Sequence, residues 1–140
     1  MRVSAVDRLE AEIDEFCAGL TQQILDEFAD YRTDPTASIY LAHSIRENAD
    51  QVLKVLRDTP NDVTAARNVG LMTATATGVP LDTLLAAYRM ALAAFVARLR
   101  ELAAPDEDVS AAAERLRLAH VEVAVALREE YLAAKARRPD

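Results

Sequence analysis

The chain offers few side chains that could carry out chemistry, and its two histidines are the first to consider. Tyr40 lies three residues before His43, and Arg117 lies three residues before His120. Neither histidine therefore completes the Glu-x-x-His spacing that a di-iron helical bundle needs. The sequence also has no glycine-rich phosphate loop, no cysteine pair and no serine in a nucleophile elbow. We predict that the protein is not an enzyme and holds no metal.

The two histidines occupy different faces of their predicted helices. His43 points about 160° away from the apolar residue Ile45, so we expect it to be solvated. His120 lies in the middle of the inward stripe of the last helix. Its simplest interpretation is a buried neutral histidine that is hydrogen-bonded to a neighbour. The alternative is a ligand-pocket or haem-ligating residue, because imidazole is a common axial ligand of haem.

Tyr88 and Cys17 also lie on apolar stripes. A core tyrosine must find a partner for its hydroxyl, so Tyr88 either makes a structural hydrogen bond or forms a pocket wall. Tyr88 and His120 are thus the two candidate pocket residues. Cys17 has apolar neighbours at helical spacing and is predicted to be a core thiol. As the single cysteine of the chain, it fits a reducing compartment.

The elements that must position these residues are helices, because prolines and glycines separate segments with a 3.6-residue apolar period. Helices are predicted at about residues 4–31, 36–57, 60–77, 80–102 and 106–135. This pattern predicts a single all-α domain of five helices over residues 1–140, joined by short turns.

Local signals predict how some of these helices begin, end and cross. Thr36 or Ser38 is expected to cap the second helix. Gly78 is expected to end the third helix in a left-handed conformation, with Pro80 in the first turn of the next helix. Gly70 belongs to a stripe of small residues, which predicts a close crossing with a neighbouring helix.

Composition narrows the possible partners. The chain has 16 basic and 23 acidic residues, a formal charge of −7, which disfavours binding to nucleic acid. No apolar signal segment is visible, and Arg89 and Arg98 interrupt the longest apolar run, so no membrane span is predicted. We expect a soluble cytoplasmic protein.

The last helix carries a second apolar line on the side away from His120. It consists of Leu118, Val121, Val125 and Leu132. A helix that is apolar on two faces is buried on both, either by another helix of the same chain or by a second subunit. We favour the second subunit, so these four residues are the predicted homodimer interface.

Residues 45–100 resemble the N-terminal helical domain shared by RsbR-type co-antagonists and PucR-like transcriptional regulators. The shared pattern is an Arg-x-Asn helix, a Gly-Val-Pro-Leu connection and a Leu-Leu-x-Ala-Tyr-Arg helix start. The matching residues are Arg46, Asn48, Gly78, Pro80, Leu81, Leu84, Leu85, Tyr88 and Arg89.

The resemblance implies a sensory or regulatory input domain, usually dimeric, placed ahead of an output module. RsbR-type input domains resemble globins without haem, so globin-like or bundle packing and no cofactor are implied. We therefore predict a non-catalytic signal-input and dimerisation domain of a bacterial transcriptional or stress-response regulator. It would act with a regulatory protein partner or a fused output domain. The alternative is a small-molecule- or haem-binding sensor or carrier with its pocket near His120 and Tyr88.

Overall fold

The computed structural model describes residues 3–137, and every regular element in that range is a helix. The helices are Ala5–Ala11 (α1), Ile13–Glu27 (α2), Ala29–Arg32 (α3), Pro35–Leu56 (α4), Thr64–Ala76 (α5), Leu81–Leu102 (α6) and Ser110–Arg137 (α7). The described part contains no β-strand, so the predicted all-α class is confirmed. The predicted count of five helices is wrong, because this range contains seven.

The N-terminal segment accounts for the difference, because one predicted helix is three shorter ones. The backbone leaves the helical region at Glu12 (φ −109°, ψ 14°) and at Phe28 (φ −115°, ψ 105°). The Glu12 carboxylate accepts two hydrogen bonds of 2.8 Å from the Arg98 guanidinium on α6. Arg32 donates to two carbonyls in the last turn of α2. A contact between distant residues therefore supports the first break and local bonds support the second, and neither break contains a glycine or a proline.

The N-terminus of α4 is capped by Asp34, not by Thr36 or Ser38 as predicted. One Asp34 oxygen accepts the Ala37 N–H at 3.1 Å, and the other accepts the Gly78 N–H at 2.7 Å. The two backbone bonds, the one from Gly78 above all, hold the pKa of Asp34 below its usual value. One carboxylate thus joins the start of α4 to the loop before α6.

The connection between α5 and α6 also differs from the prediction. Gly78 is not left-handed; among the described residues only Asp58, just after α4, has a positive φ. Instead, α5 ends where Thr77 becomes extended (φ −131°, ψ 166°). The Thr77 hydroxyl accepts the Val79 N–H at 3.2 Å, which fixes the turn. Pro80 is the N-cap residue of α6 and precedes its first turn.

Buried side chains form two hydrophobic clusters. The larger one is built from α1 to α4, most of α6 and the N-terminal half of α7. The smaller one joins α5, the start of α6 and the C-terminal half of α7, with Leu127 at 0% exposure. Gly70 on α5 allows a close crossing with α7, since a Cβ at this position would lie 2.8 Å from the Leu127 carbonyl oxygen. The predicted close crossing at Gly70 is confirmed.

Candidate functional site

A cavity of about 100 Å³ lies between the two hydrophobic clusters. The larger cluster contributes wall residues such as Leu41 and Phe95, and the smaller one contributes Ala66 and Val69. Protein interiors are normally close-packed, with few voids larger than a water molecule. A concave, mostly apolar space with a few polar groups on its wall is the usual form of a small-molecule site. This cavity is therefore the strongest candidate for a functional site.

The structure places both Tyr88 and His120 on the wall of this cavity. Tyr88 comes from α6 and His120 from α7, and both are half-buried. Burial raises the pKa of Tyr88 strongly, and a smaller opposing effect comes from a hydrogen bond with Asn48. Burial is the larger cause that lowers the pKa of His120 below 6.5, and the positive charge of Arg89 is the smaller one. Both side chains are therefore neutral near pH 7, and each can donate and accept a hydrogen bond.

The imidazole of His120 has no hydrogen-bond partner among residues 3–137, although the sequence predicts a bond to a neighbour. No deeply buried side-chain nitrogen or oxygen in this range is left unsatisfied. The ring nitrogens of His120 therefore keep some accessible surface, and the residue lines the cavity. A neutral imidazole in this position can bond a molecule that enters the cavity.

Three amide side chains also line the cavity: Asn48, Gln51 and Asn61. Asn61 donates to the carbonyl of Ala119 at 3.3 Å and accepts from Gln51 at 3.4 Å. Sequence reasoning found Asn48 only through the family resemblance, and it missed Gln51 and Asn61. Asn61 lies in the loop after α4, where helical periodicity carries no information about direction. The only sequence signal at Asn61 is the neighbouring Pro60, which indicates the end of a helix and nothing about a binding site.

The lowered pKa of His120 predicts how stability depends on pH. The folded protein binds this proton less readily than the unfolded chain, whose histidine titrates near 6.5. The neutral histidine thus gives full stability above pH 6.5, and stability is lost as the pH falls towards the lower folded value. Urea unfolding at pH 5.5 and pH 7.5 should therefore show a smaller loss in His120→Gln than in the wild type. Equal losses in the two proteins would contradict the prediction.

The two other singled-out residues lie away from the cavity. His43 is exposed, as predicted, with its imidazole 3.4 Å from the Glu47 carboxylate and its ring against Tyr40. Cys17 is buried, as predicted, and burial raises the pKa of its thiol to about 11. Within residues 3–137, no set of three potential metal ligands comes together. No helix in the same range is long and apolar enough to cross a membrane.

The second apolar line of α7, here called the α7 stripe, is exposed. Leu118 and Val121 are each 61% exposed, Val125 is 51% exposed and Leu132 is 48% exposed. No helix of the described chain therefore covers the stripe. The opposite face of α7 is buried and includes Leu116 and the other residues that border the cavity. One helix thus separates the cavity from an uncovered apolar surface, whose partner stays a prediction.

Residues of the Gly-Val-Pro-Leu connection hold three helices together. The N–H of Gly78 bonds the Asp34 cap of α4. The carbonyl of Val79 accepts the buried hydroxyl of Tyr131 on α7 at 2.9 Å. The connection therefore ties the C-terminal half of α7 to the start of α4 and the start of α6.

Comparison with known proteins gives one family match. A family model described as "RsbT co-antagonist protein rsbRD N-terminal domain" matches residues 14–139. No curated protein and no solved structure matches the chain. The globin-like packing and the likeness to PucR-like regulators therefore stay predictions.

Proposed function

Because the chain belongs to the family of RsbT co-antagonist N-terminal domains, we propose that it is a non-catalytic signal-input domain that forms a homodimer through the α7 stripe. The family is a regulatory one, which supports an input domain of a stress-response regulator. The observation that carries the proposal is the stripe itself. It is exposed on the helix whose other face borders the cavity. A transcriptional regulator would use such a domain in the same way.

The chemistry of the α7 stripe suits a second copy of this chain. Its members follow one another at intervals of three, four and seven residues, so they form a single line along about 21 Å of helix. Exposed charges of both signs flank the line, Arg117 and Arg128 beside Glu122. A symmetric dimer places the same patch on both subunits, and mixed charges let that patch face itself without net repulsion.

Signal transfer would proceed by a change in how α7 packs. A molecule or partner that prefers one arrangement of α7 shifts the population towards it, by no more than its differential affinity for the two. The end of α7, around Tyr131 to Arg137, would pass the change to a regulatory partner or a fused output domain. We place this activity in the cytoplasm, where a single unpaired cysteine is stable as a thiol.

Dimerisation is tested by the double substitution Val121→Asp and Val125→Asp. The wild type should give a dimer mass by light scattering, and the variant should give a monomer mass, because four carboxylates would be buried together. The matched control is Ala93→Asp with Ala97→Asp, which has the same spacing on the exposed face of α6. The control should stay dimeric. A monomeric wild type, or a variant of unchanged mass, would remove α7 from the interface.

A ligand sensor or carrier is the second candidate, and the cavity favours it because Tyr88 and His120 both border it. A haem group does not fit the residues present. A cavity of about 100 Å³ is far smaller than a porphyrin, which would have to displace the helices around it. We therefore assign no role to haem.

A further inference from the structure

The cavity occupies a gap that the protein itself does not fill. The larger and the smaller hydrophobic clusters face each other across it, with Phe95 and Leu41 on one side and Val69 on the other. A molecule in this gap would contact both clusters at once. It would also touch α7 through Leu116 and His120.

The wall excludes charged molecules. Within residues 3–137 no lysine or arginine side chain lines the cavity, and Arg89, whose charge acts on His120, is exposed. An anion in the cavity would therefore lose its hydration without direct contact with a cation. Asp62 is the one carboxylate of the wall within the described residues. It is exposed and already accepts the Thr64 N–H and hydroxyl at 2.9 Å and 2.7 Å. Most of the remaining wall is aliphatic or aromatic, which favours an apolar ligand.

The polar groups of the wall limit how many hydrogen-bonding groups an apolar ligand can carry. Ser44 and Asn48 are engaged with backbone carbonyls of α4, at 3.0 Å and 2.7 Å. Asn61 is held between the Ala119 carbonyl and Gln51. The hydroxyl of Tyr88 interacts with Asn48, whereas the imidazole of His120 has no hydrogen-bond partner among residues 3–137. One hydrogen-bonding group on the ligand is enough to match it.

We infer that the cavity binds an uncharged molecule of about benzene size that carries one hydrogen-bonding group, and that His120 forms a hydrogen bond with this group. The volume sets an upper limit on the size: an engineered apolar cavity of about 150 Å³ in another protein binds benzene, and this cavity of about 100 Å³ is smaller, so a single small ring is the largest ligand expected. A phenol or a short branched alcohol has this chemistry. The inference rests on the proposed function in one respect: such a molecule would be the signal that the input domain senses.

Calorimetric titration of the full chain with phenol tests the inference, with benzene, benzoate and anilinium as comparison probes. Phenol should bind with one site per chain, benzene more weakly, and neither ion measurably. His120→Leu should weaken phenol binding by about 3- to 10-fold, the usual worth of one hydrogen bond, and leave benzene unaffected or tighter. If His120 has only a structural role, His120→Leu should instead weaken the binding of phenol and of benzene to a similar extent.

A filled cavity gives the second test. Ala91 lines the cavity, whereas Ala93 on the same helix is exposed. Ala91→Leu should weaken phenol binding by more than about tenfold, because the new side chain occupies the ligand's space. Ala93→Leu should bind phenol as the wild type does. No binding of phenol or benzene to the wild type up to their solubility limits would overturn the inference, as would undiminished binding in Ala91→Leu or tighter binding of benzoate.

The outcome is independent of the dimer proposal because the two use different measurements. If the wild type binds phenol and light scattering finds it monomeric, the ligand site is supported and the dimer proposal is wrong. If the wild type is a dimer and binds neither phenol nor benzene, the dimer proposal is supported and the ligand site is wrong. Phenol binding that alters the dimer dissociation constant would support both and connect the cavity to the α7 stripe.

Discussion

Gly70→Ala should destabilise the protein by up to about 2 kcal/mol, which is an overpacking cost of about 1–3 kcal/mol less the roughly 1 kcal/mol that alanine gains as the better helix former. A Cβ at Gly70 would lie 2.8 Å from the Leu127 carbonyl oxygen and 3.3 Å from the Glu130 Cβ. The first contact is with the backbone of α7, which cannot rotate away as a side chain can. Relief therefore requires α5 and α7 to separate where the smaller hydrophobic cluster holds them. This cost exceeds the gain of about 1 kcal/mol in helix propensity.

Gly19→Ala is the matched control, because Gly19 also lies inside a helix but is exposed, and a Cβ added there would have nothing within 4 Å. The same substitution there should stabilise the protein by about 0.5–1 kcal/mol. Urea unfolding of both variants, followed by circular dichroism, measures the two effects with opposite signs. A stabilised Gly70→Ala would mean that α5 and α7 can move apart freely, and the tight crossing would lose its support.

The sequence predicts the faces of these helices well because apolar period and burial coincide. The inward stripe predicted around His120 on the last helix includes Leu116, Leu127 and Tyr131, and all three are buried. The stripe of small residues that contains Gly70 predicts a close approach, and a Cβ there would contact the backbone of α7. Periodicity reports which side of a helix faces inward. It contains nothing about whether the inward sides fill the space between them, so the sequence offers a pocket near His120 and Tyr88 only as an alternative.

The breaks at Glu12 and Phe28 were missed for a different reason. The break at Glu12 is accompanied by a contact between distant parts of the molecule, the Arg98 guanidinium on Glu12, whereas the Arg32 bonds at the second break are local. The apolar period continues through both positions, and neither residue is a helix breaker by type. Gly78 shows the converse, because a residue that signals a left-handed turn lies instead in a loop fixed by Asp34. At Glu12 and Gly78, contacts remote in sequence overruled local propensity.

The candidate site was predictable only in part. Tyr88 and His120 come from two separate apolar stripes, and their approach to one cavity depends on how α6 and α7 pack. Gln51 and Asn61 had no signal of their own, because amide side chains near a helix end are usually solvated. That His120 has no hydrogen-bond partner among the described residues likewise depends on tertiary packing. Helix patterns thus supplied the candidates, and packing decided which of them meet.

Leu127→Ala and Leu132→Ala should differ sharply, although both shorten a leucine on α7. Leu127 is fully buried in the smaller cluster, so its loss should cost about 2–5 kcal/mol, a large part of a typical stability of roughly 5–15 kcal/mol. Leu132 is 48% exposed on the α7 stripe, and in the monomer its loss should change stability by no more than about 0.5 kcal/mol.

The contrast becomes informative when protein concentration is varied. Unfolding of a dimer depends on concentration, because association stabilises the folded chain. Leu127→Ala should lower the free energy of unfolding by a similar amount at every concentration. Leu132→Ala should match the wild type when dilute and fall below it when concentrated, since it weakens only the association. A Leu132→Ala loss that is large and independent of concentration would mean that this leucine is buried within its own chain, and the α7 stripe would no longer be an interface.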